Sequence, residues 1–298
     1  LTWFLNTSIS QNIEKRTVQM HQQLYTEELA SSLGVVEEST KRRTVPCTPE
    51  ILELPRPDPD KAKIDPRYRS VVGKIGWLVT MTRPDIAYTH SILSRYNNCG
   101  GEQHMTEAIK LIQYLLRTKH YRLTFSPERA ESLRQFLSRH SSLPADTLPD
   151  YIFGTDTSHG GERPMAGYFA SIYGDPWAWK GYRLDGTPLS SCEGEYRGCT
   201  KATSLIMWFL IAYKFFDESV DLPAILFCDN KGAVMLADND TTSKRMKHIA
   251  TRIAFLREQV KAGHVQLHHI PAEGQLADIF TKPLATTLFH AMRVHLIA

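Results

Sequence analysis

Residues 224–230 read AILFCDN: an apolar run from Ala224 to Phe227 that stops at once on Cys228, Asp229 and Asn230, with the helical pattern KGAVMLAD starting at Lys231. A short apolar run bounded by polar residues has the character of a buried strand. A carboxylate at the end of such a strand has two uses. It caps the helix that follows, or it holds something at the sheet edge.

The flanking sequence supplies the rest of the sheet. Upstream, DYIFGTD, MAGYFASIY and PWAWK are short runs rich in aromatic and branched residues, separated by Gly, Pro and charged turns, which predicts a three-strand meander. A long helical pattern, EGEYRGCTKATSLIMWFLIAYKFF, leads to the strand at Ala224. After it come KGAVMLAD, the helical stretch KRMKHIATRIAFLREQV, the strand HVQLHHI and a final helical segment containing GQLADIFTKPL. Strands followed by alternating helices and strands predict an α/β fold, a mixed five-stranded sheet with flanking helices.

The chain has 298 residues, 42% of them hydrophobic, enough for more than one packed domain. Two proline-rich seams divide it. TVPCTPEILELPRPDPDKAKIDPRY combines prolines with alternating charge, which forbids a long helix or a central strand and predicts a linker. SRHSSLPADTLPD, ending at Asp150, is the second. The expected regions are 1–62, 63–146 and 147–298. In the first, Leu24, Leu29 and Leu33 are spaced to line a helix face ending at Gly34. The second is mostly helical, with Met105, Ile109, Ile112 and Leu116 recurring on one face as core residues.

The five cysteines are scattered without a C-x-x-C pair, so neither a disulfide framework nor a thiolate zinc site is expected, and buried thiols are. The net charge of +3 leaves an anionic partner open without requiring one. No apolar stretch is long enough to cross a bilayer, and the opening LTWFLNTSISQN lacks the features of a secretory signal. The expectation is a soluble intracellular chain with no membrane partner.

Four acids invite a ligand. Asp156 closes FGTD and Asp229 closes LFCD; on parallel neighbouring strands both project from the carboxyl edge of the sheet, although either could be an N-cap or an Asx-turn. Ser190 and Glu193 have capping-box spacing, which gives Glu193 a structural role and leaves Glu195 one turn deeper. Cys199, Ala202 and Ile206 follow Glu195 on the same helix face, so its carboxylate is directed to a buried side, where a bound cation is the natural partner. Asp278 in EGQLADIFTKPL is the fourth, with a favourable charge at a helix start as the alternative. Oxygen ligands without paired Cys or His favour Mg²⁺ or Mn²⁺ over zinc.

The runs LSSCEGEYRG, FCDNKGAV, KRMKHIATRIAFLRE and QLADIFTKPL, in that order and at similar separations, resemble the ribonuclease H domain of copia-type long-terminal-repeat retrotransposon polyproteins. YRSVVGKIGWLVTMTRPDIAYTHSILSRY resembles the connection segment that precedes that domain, and LTWFLNTSISQ with VPCTP resembles the end of the reverse transcriptase and its thumb. The resemblance implies a ribonuclease H-like sheet over 147–298, preceded by a mainly helical connection region over 63–146 and a thumb-like remnant with linker over 1–62. It implies that Asp156, Glu195, Asp229 and Asp278 are catalytic acids holding two Mg²⁺ (or Mn²⁺) ions, with Asp156 bridging both. The implied reaction is endonucleolytic hydrolysis of the RNA strand of RNA/DNA hybrids in reverse transcription.

TDTSHGGERPMAGY departs from the family's usual turn, carrying Ser158 where many members have a second acid. The Tyr-x-Asp-Asp turn of the polymerase and the His-His-Cys-Cys motif of an integrase have no counterpart in these residues. The chain is therefore expected not to polymerise DNA alone, and a reverse transcriptase polymerase portion is the expected companion. A non-catalytic nucleic-acid-binding or protein-interaction module, or an accessory subunit of a separate reverse transcriptase, is the competing expectation.

The basic cluster Lys244, Arg245, Lys247, His248 and Arg252 is a candidate phosphate track, with a solvated helix face as the alternative. His268 or His269, expected in the loop before Asp278, is a candidate for proton transfer or product release. Trp177 and Trp179 share one side of their strand and are expected to pack rather than stack on bases.

Overall fold

The computed structural model describes residues 2–36, 43–58, 63–158, 164–216, 220–238 and 249–297. The chain forms two compact units, Leu1–Ser126 together with Pro283–Ala298, and Pro127–Lys282.

The first unit contains an antiparallel sheet that the sequence does not announce, in the order β1 (Trp3–Phe4), β2 (Thr7–Asn12), β3 (Thr17–His21), β4 (Leu123–Phe125). The β1–β2 turn is two residues long, and both Leu5 and Asn6 have positive φ, the geometry that matches the twist of a hairpin. The helices α1 (Gln23–Ser31), α2 (Tyr68–Met81), α3 (Ala87–Ser94) and α4 (Glu102–Arg117) accompany the sheet, joined by one from the C-terminal segment. Gly34 stops the α1 segment with φ near 68°. Leu24 faces solvent, and the buried side of α1 is Thr26, Leu29 and Ala30. On α4, Met105, Ile112 and Leu116 are buried with Ala108, Leu111 and Leu115, while Ile109 is half-buried.

A buried polar knot closes this core. Arg83 donates twice to Asp85, at 2.9 and 2.7 Å, Tyr114 Oη–H donates to the same carboxylate at 2.8 Å, and Arg83 also donates to Thr118 Oγ1. Paired this way the charges tolerate burial; unpaired, each would be strongly destabilising.

The second unit starts with α5 (Pro127–His140) and holds a five-stranded sheet in the order β7-β6-β5-β8-β9. Its strands are β5 (Tyr151–Thr157), β6 (Met165–Ile172), β7 (Asp175–Arg183), β8 (Ala224–Cys228) and β9 (Val265–His269). β7, β6 and β5 form an antiparallel meander, whereas β5, β8 and β9 run parallel. α6 (Ser191–Phe215) joins β7 to β8, and α7 (Lys231–Asp238) with α8 (Ala250–Lys261) joins β8 to β9. This is the mixed five-stranded sheet with flanking helices that the order of elements predicts, and it agrees with the ribonuclease H-like fold that the resemblance implies.

The core lies between α6 and the sheet. Tyr196, Cys199, Ala202, Ile206 and Phe209 pack with Phe153, Leu226 and Leu267, each fully buried aromatic or aliphatic side chain contributing about 1.5–3 kcal/mol. At Gly198 an added Cβ would lie 2.9 Å from Thr155 Oγ1 and 3.0 Å from Thr157 Oγ1, so the absent side chain lets α6 descend onto β5 at that level. Trp177 stacks on Trp208 and lies 5.3 Å from the Phe209 ring, the packing role expected of it.

α5 belongs with the sheet because Arg134 pairs with Asp150, and Arg129 pairs with Asp175 at 3.2 Å. The C-terminal helix α9 (Thr286–Arg293) belongs with the first unit, where Phe289 meets Tyr114 edge-on at 6.3 Å and Arg293 lies over the Tyr121 ring. No helix among the described residues is long and apolar enough to cross a membrane.

Candidate active site

Parallel pairing of β5 with β8 sets Gly154 opposite Phe227. Asp156 and Asp229 each lie two positions further along, at the same carboxyl edge. The question raised by AILFCDN is answered one residue later: Asn230 Oδ1 accepts the Ala233 N–H at 3.0 Å and caps α7. Asp229 is thereby relieved of capping.

Glu195 and Asp278 likewise do not occupy cap positions. Ser190 Oγ accepts the Glu193 N–H at 3.2 Å, and the Glu193 carboxylate reaches back to the Leu189 N–H at 2.8 Å, which fixes the start of α6. Glu195 then sits one turn in, buried, facing β5. A short 3₁₀ turn, Leu276–Phe280, carries Asp278; its cap is Gln275, whose Oε1 accepts the Ala277 N–H at 3.2 Å. That turn lies close over the sheet, because a Cβ on Gly167 would come within 2.5 Å of Phe280 Cβ.

Four chain segments thus bring their carboxylates together. Ligand oxygens of Asp156, Asp229 and Asp278 all lie within 4.8 Å of one another, and a second group within the same limit joins Glu195, Asp229 and the Cys228 sulfur. Asp156, Glu195 and Asp278 are each 1–3% exposed, and Asp229 is half-buried.

Neutral donors hold these groups in place. The Thr157 N–H donates to Glu195 Oε1 at 2.9 Å, and the Cys228 S–H approaches Oε2 at 3.7 Å. Thr281 Oγ1–H donates to Asp156 Oδ2. Among the described residues one cation enters the cluster: Lys282 Nζ is 2.9 Å from Asp278 Oδ2 and 3.8 Å from Asp156 Oδ2.

The electrostatics follow from crowding negative charge in a dry place. Burial, reinforced by Cys228, Asp156 and Asp229, pushes the Glu195 carboxyl up to about 11. Burial and then Asp156 raise Asp278, with Lys282 opposing, and raise Asp229, with Lys282 and His269 opposing. Carboxyls perturbed by burial and by one another in this way are a pattern that active sites share with structural ion-pair networks.

The donor set suits a hard divalent cation. It consists of carboxylate oxygens apart from one thiol, and Asp278 Oδ1 is buried without a hydrogen-bond partner among the described residues. A buried acceptor left open in this way is costly unless something binds it.

The remaining sequence candidates divide. His268 and His269 are not in the loop before Asp278; they end β9, because the apolar alternation of HVQLHHI carries the strand through them. His269 pairs opposite Cys228, at the acid edge, while His268 lies opposite Phe227. Arg252 is exposed on α8 and borders a groove with Arg197 and Asp185. Lys244, Arg245, Lys247 and His248 fall outside the described residues.

Sequence reasoning missed Gln275, Thr281 and Lys282. Only Lys282 had a legible signal, its spacing of four residues from Asp278 in a helical segment, where acid and base pair.

No protein-family model matches the chain. The chain is 31% identical over 222 residues to the retrovirus-related Pol polyprotein from transposon RE1 of Arabidopsis thaliana, covering 74% of this chain and 14% of that protein. To the Pol polyprotein from transposon RE2 of the same plant it is 29% identical over 233 residues, covering 78% of this chain and 15% of that protein. Among solved structures, LC11-RNase H1 in complex with an RNA/DNA hybrid matches 44% of this chain and 93% of its own, at 19% identity and a TM-score of 0.33. The chain spans about one-seventh of the polyproteins it matches, and its homologues are the retrovirus-related Pol polyproteins of copia-type retrotransposons.

Proposed function

We propose that the second unit is a divalent-metal-dependent ribonuclease H that hydrolyses the RNA strand of RNA/DNA hybrids during retrotransposon reverse transcription. The observation that carries this reading is the convergence of Asp156, Glu195, Asp229 and Asp278 from four segments, with their capping duties taken over by Asn230, Ser190 and Gln275.

Bound at these acids, two Mg²⁺ or Mn²⁺ ions would supply an activated water and charge neutralisation at the leaving 3′ oxygen. Asp229 belongs to both donor groups, and the Asp156 charge acts on Glu195, Asp229 and Asp278 alike, which supports giving these two the shared ligand role. Glu195, fixed by Thr157 and Cys228, flanks one side, and Asp278 the other. His269, at the end of the neighbouring strand, is the candidate for moving a proton at the site edge. Specificity for the hybrid requires contacts to the 2′-hydroxyl, and Arg252 with the basic cluster before it is proposed to follow the phosphates. The segments 1–62 and 63–146 are proposed as a thumb-like remnant with linker and a connection region, the parts that would face a polymerase portion, with α5 of the latter segment lying in the second unit.

A labelled RNA/DNA hybrid incubated with Mg²⁺ or Mn²⁺ tests the reading. Cleavage by the parent chain, abolished by EDTA and lost in Asp156→Asn and Asp229→Asn, is expected. Hybrid binding without metal-dependent cleavage would overturn it in favour of a non-catalytic binding module.

A further inference from the structure

Lys282 is the one described cation within ion-pair distance of two of the four acids, Asp278 at 2.9 Å and Asp156 at 3.8 Å. Asp156 Oδ2 therefore receives both the Lys282 ammonium and the Thr281 hydroxyl, on the side of the cluster from which Asp278 also approaches. An ammonium there neutralises the oxygens a divalent ion would need, because a lysine presents donors only and cannot share a metal's coordination shell. Its side chain is 36% exposed against 2% for both carboxylates, so the flexible stem has room to swing toward solvent while the acids stay fixed.

From this geometry we propose that Lys282 is an internal counterion that competes with the divalent metal: it holds Asp156 and Asp278 together in the metal-free protein and withdraws when the metal binds. The inference rests on the metal-site reading given above and goes beyond it, since it assigns a residue that sets metal affinity rather than a ligand. A withdrawn Lys282 remains beside the site, where its charge can meet a phosphate of the bound strand.

A lysine with a merely structural role and a competing lysine make opposite predictions. Loss of a structural contact loosens the acids, so stability and metal affinity fall together. Loss of a competitor lowers metal-free stability and tightens metal binding.

The measurement is Mn²⁺ binding by isothermal titration calorimetry, with thermal unfolding in EDTA, on the full chain and its Lys282→Gln and Lys282→Arg variants. Lys282→Gln is expected to bind Mn²⁺ about two- to fivefold more tightly, the scale of one half-exposed ion pair, while unfolding at a lower temperature in EDTA. Lys282→Arg, which keeps the charge, is expected to retain the parent affinity. Equal or weaker Mn²⁺ binding by a folded Lys282→Gln overturns the counterion role and leaves the nuclease reading intact. Absence of Mn²⁺ binding in all three proteins overturns both.

Discussion

Gln275 Nε2 donates to the Thr155 carbonyl at 3.0 Å, across 120 residues of chain. The same side chain caps the turn that carries Asp278, and Thr155 precedes Asp156 on the central strand. A single buried amide therefore registers the last acid against the first.

Replacing Gln275 with Ala removes both contacts and leaves a buried carbonyl and a buried N–H unsatisfied. A loss of about 1–3 kcal/mol in denaturant unfolding is expected. Mn²⁺ affinity measured by calorimetry should fall with it, because Asp278 loses its register. Unchanged affinity would show that the turn is held by the packing of Phe280 on Gly167 alone.

Asn230 and Asp229 are neighbours with divided roles, and substitution should separate them. Asn230→Ala is expected to cost about 0.5–2 kcal/mol of stability through loss of the α7 cap. Asp229→Asn should abolish metal binding, yet leave the metal-free protein as stable as the parent or more so, since burial and Asp156 already disfavour the charged carboxyl. Thermal unfolding in EDTA checks both. A strongly destabilised Asp229→Asn protein would return Asp229 to a structural role.

The acid cluster also fixes the sign of a pH dependence. Glu195, Asp229 and Asp278 have raised pKa values in the folded, metal-free protein, so the native state binds more protons than the unfolded one above the ordinary carboxylate range. Their contribution to stability therefore declines as pH rises from about 4.5 toward the raised values. Divalent metal should counter that decline, and the rise in unfolding temperature on adding Mg²⁺ should be larger at pH 8 than at pH 5.5. An Mg²⁺ effect independent of pH would contradict the repulsion among these groups.

Much of the second unit was legible because a sheet strand buried on both faces reads as an apolar run, and because Asp156 and Asp229 sit where such runs stop. Glu195 was legible from helix periodicity, since its face continues as Cys199, Ala202 and Ile206. The sheet of the first unit was not legible: in TSISQN only Thr7 is buried, so no apolar alternation marks the strand. Leu24 misled for the complementary reason, an apolar side chain left on the solvent side of α1. Gln275, Thr281 and Lys282 gain their roles only when Leu276–Phe280 folds over β5, a contact between segments more than a hundred residues apart.

The most direct measurement is anomalous diffraction from crystals of the chain soaked with Mn²⁺. Peaks enclosed by Asp156, Glu195, Asp229 and Asp278, with Lys282 turned out of the cluster, are the expected result. A well-ordered site with those carboxylates and no manganese among them, or manganese bound only elsewhere on the chain, would contradict the metal centre on which the nuclease function depends.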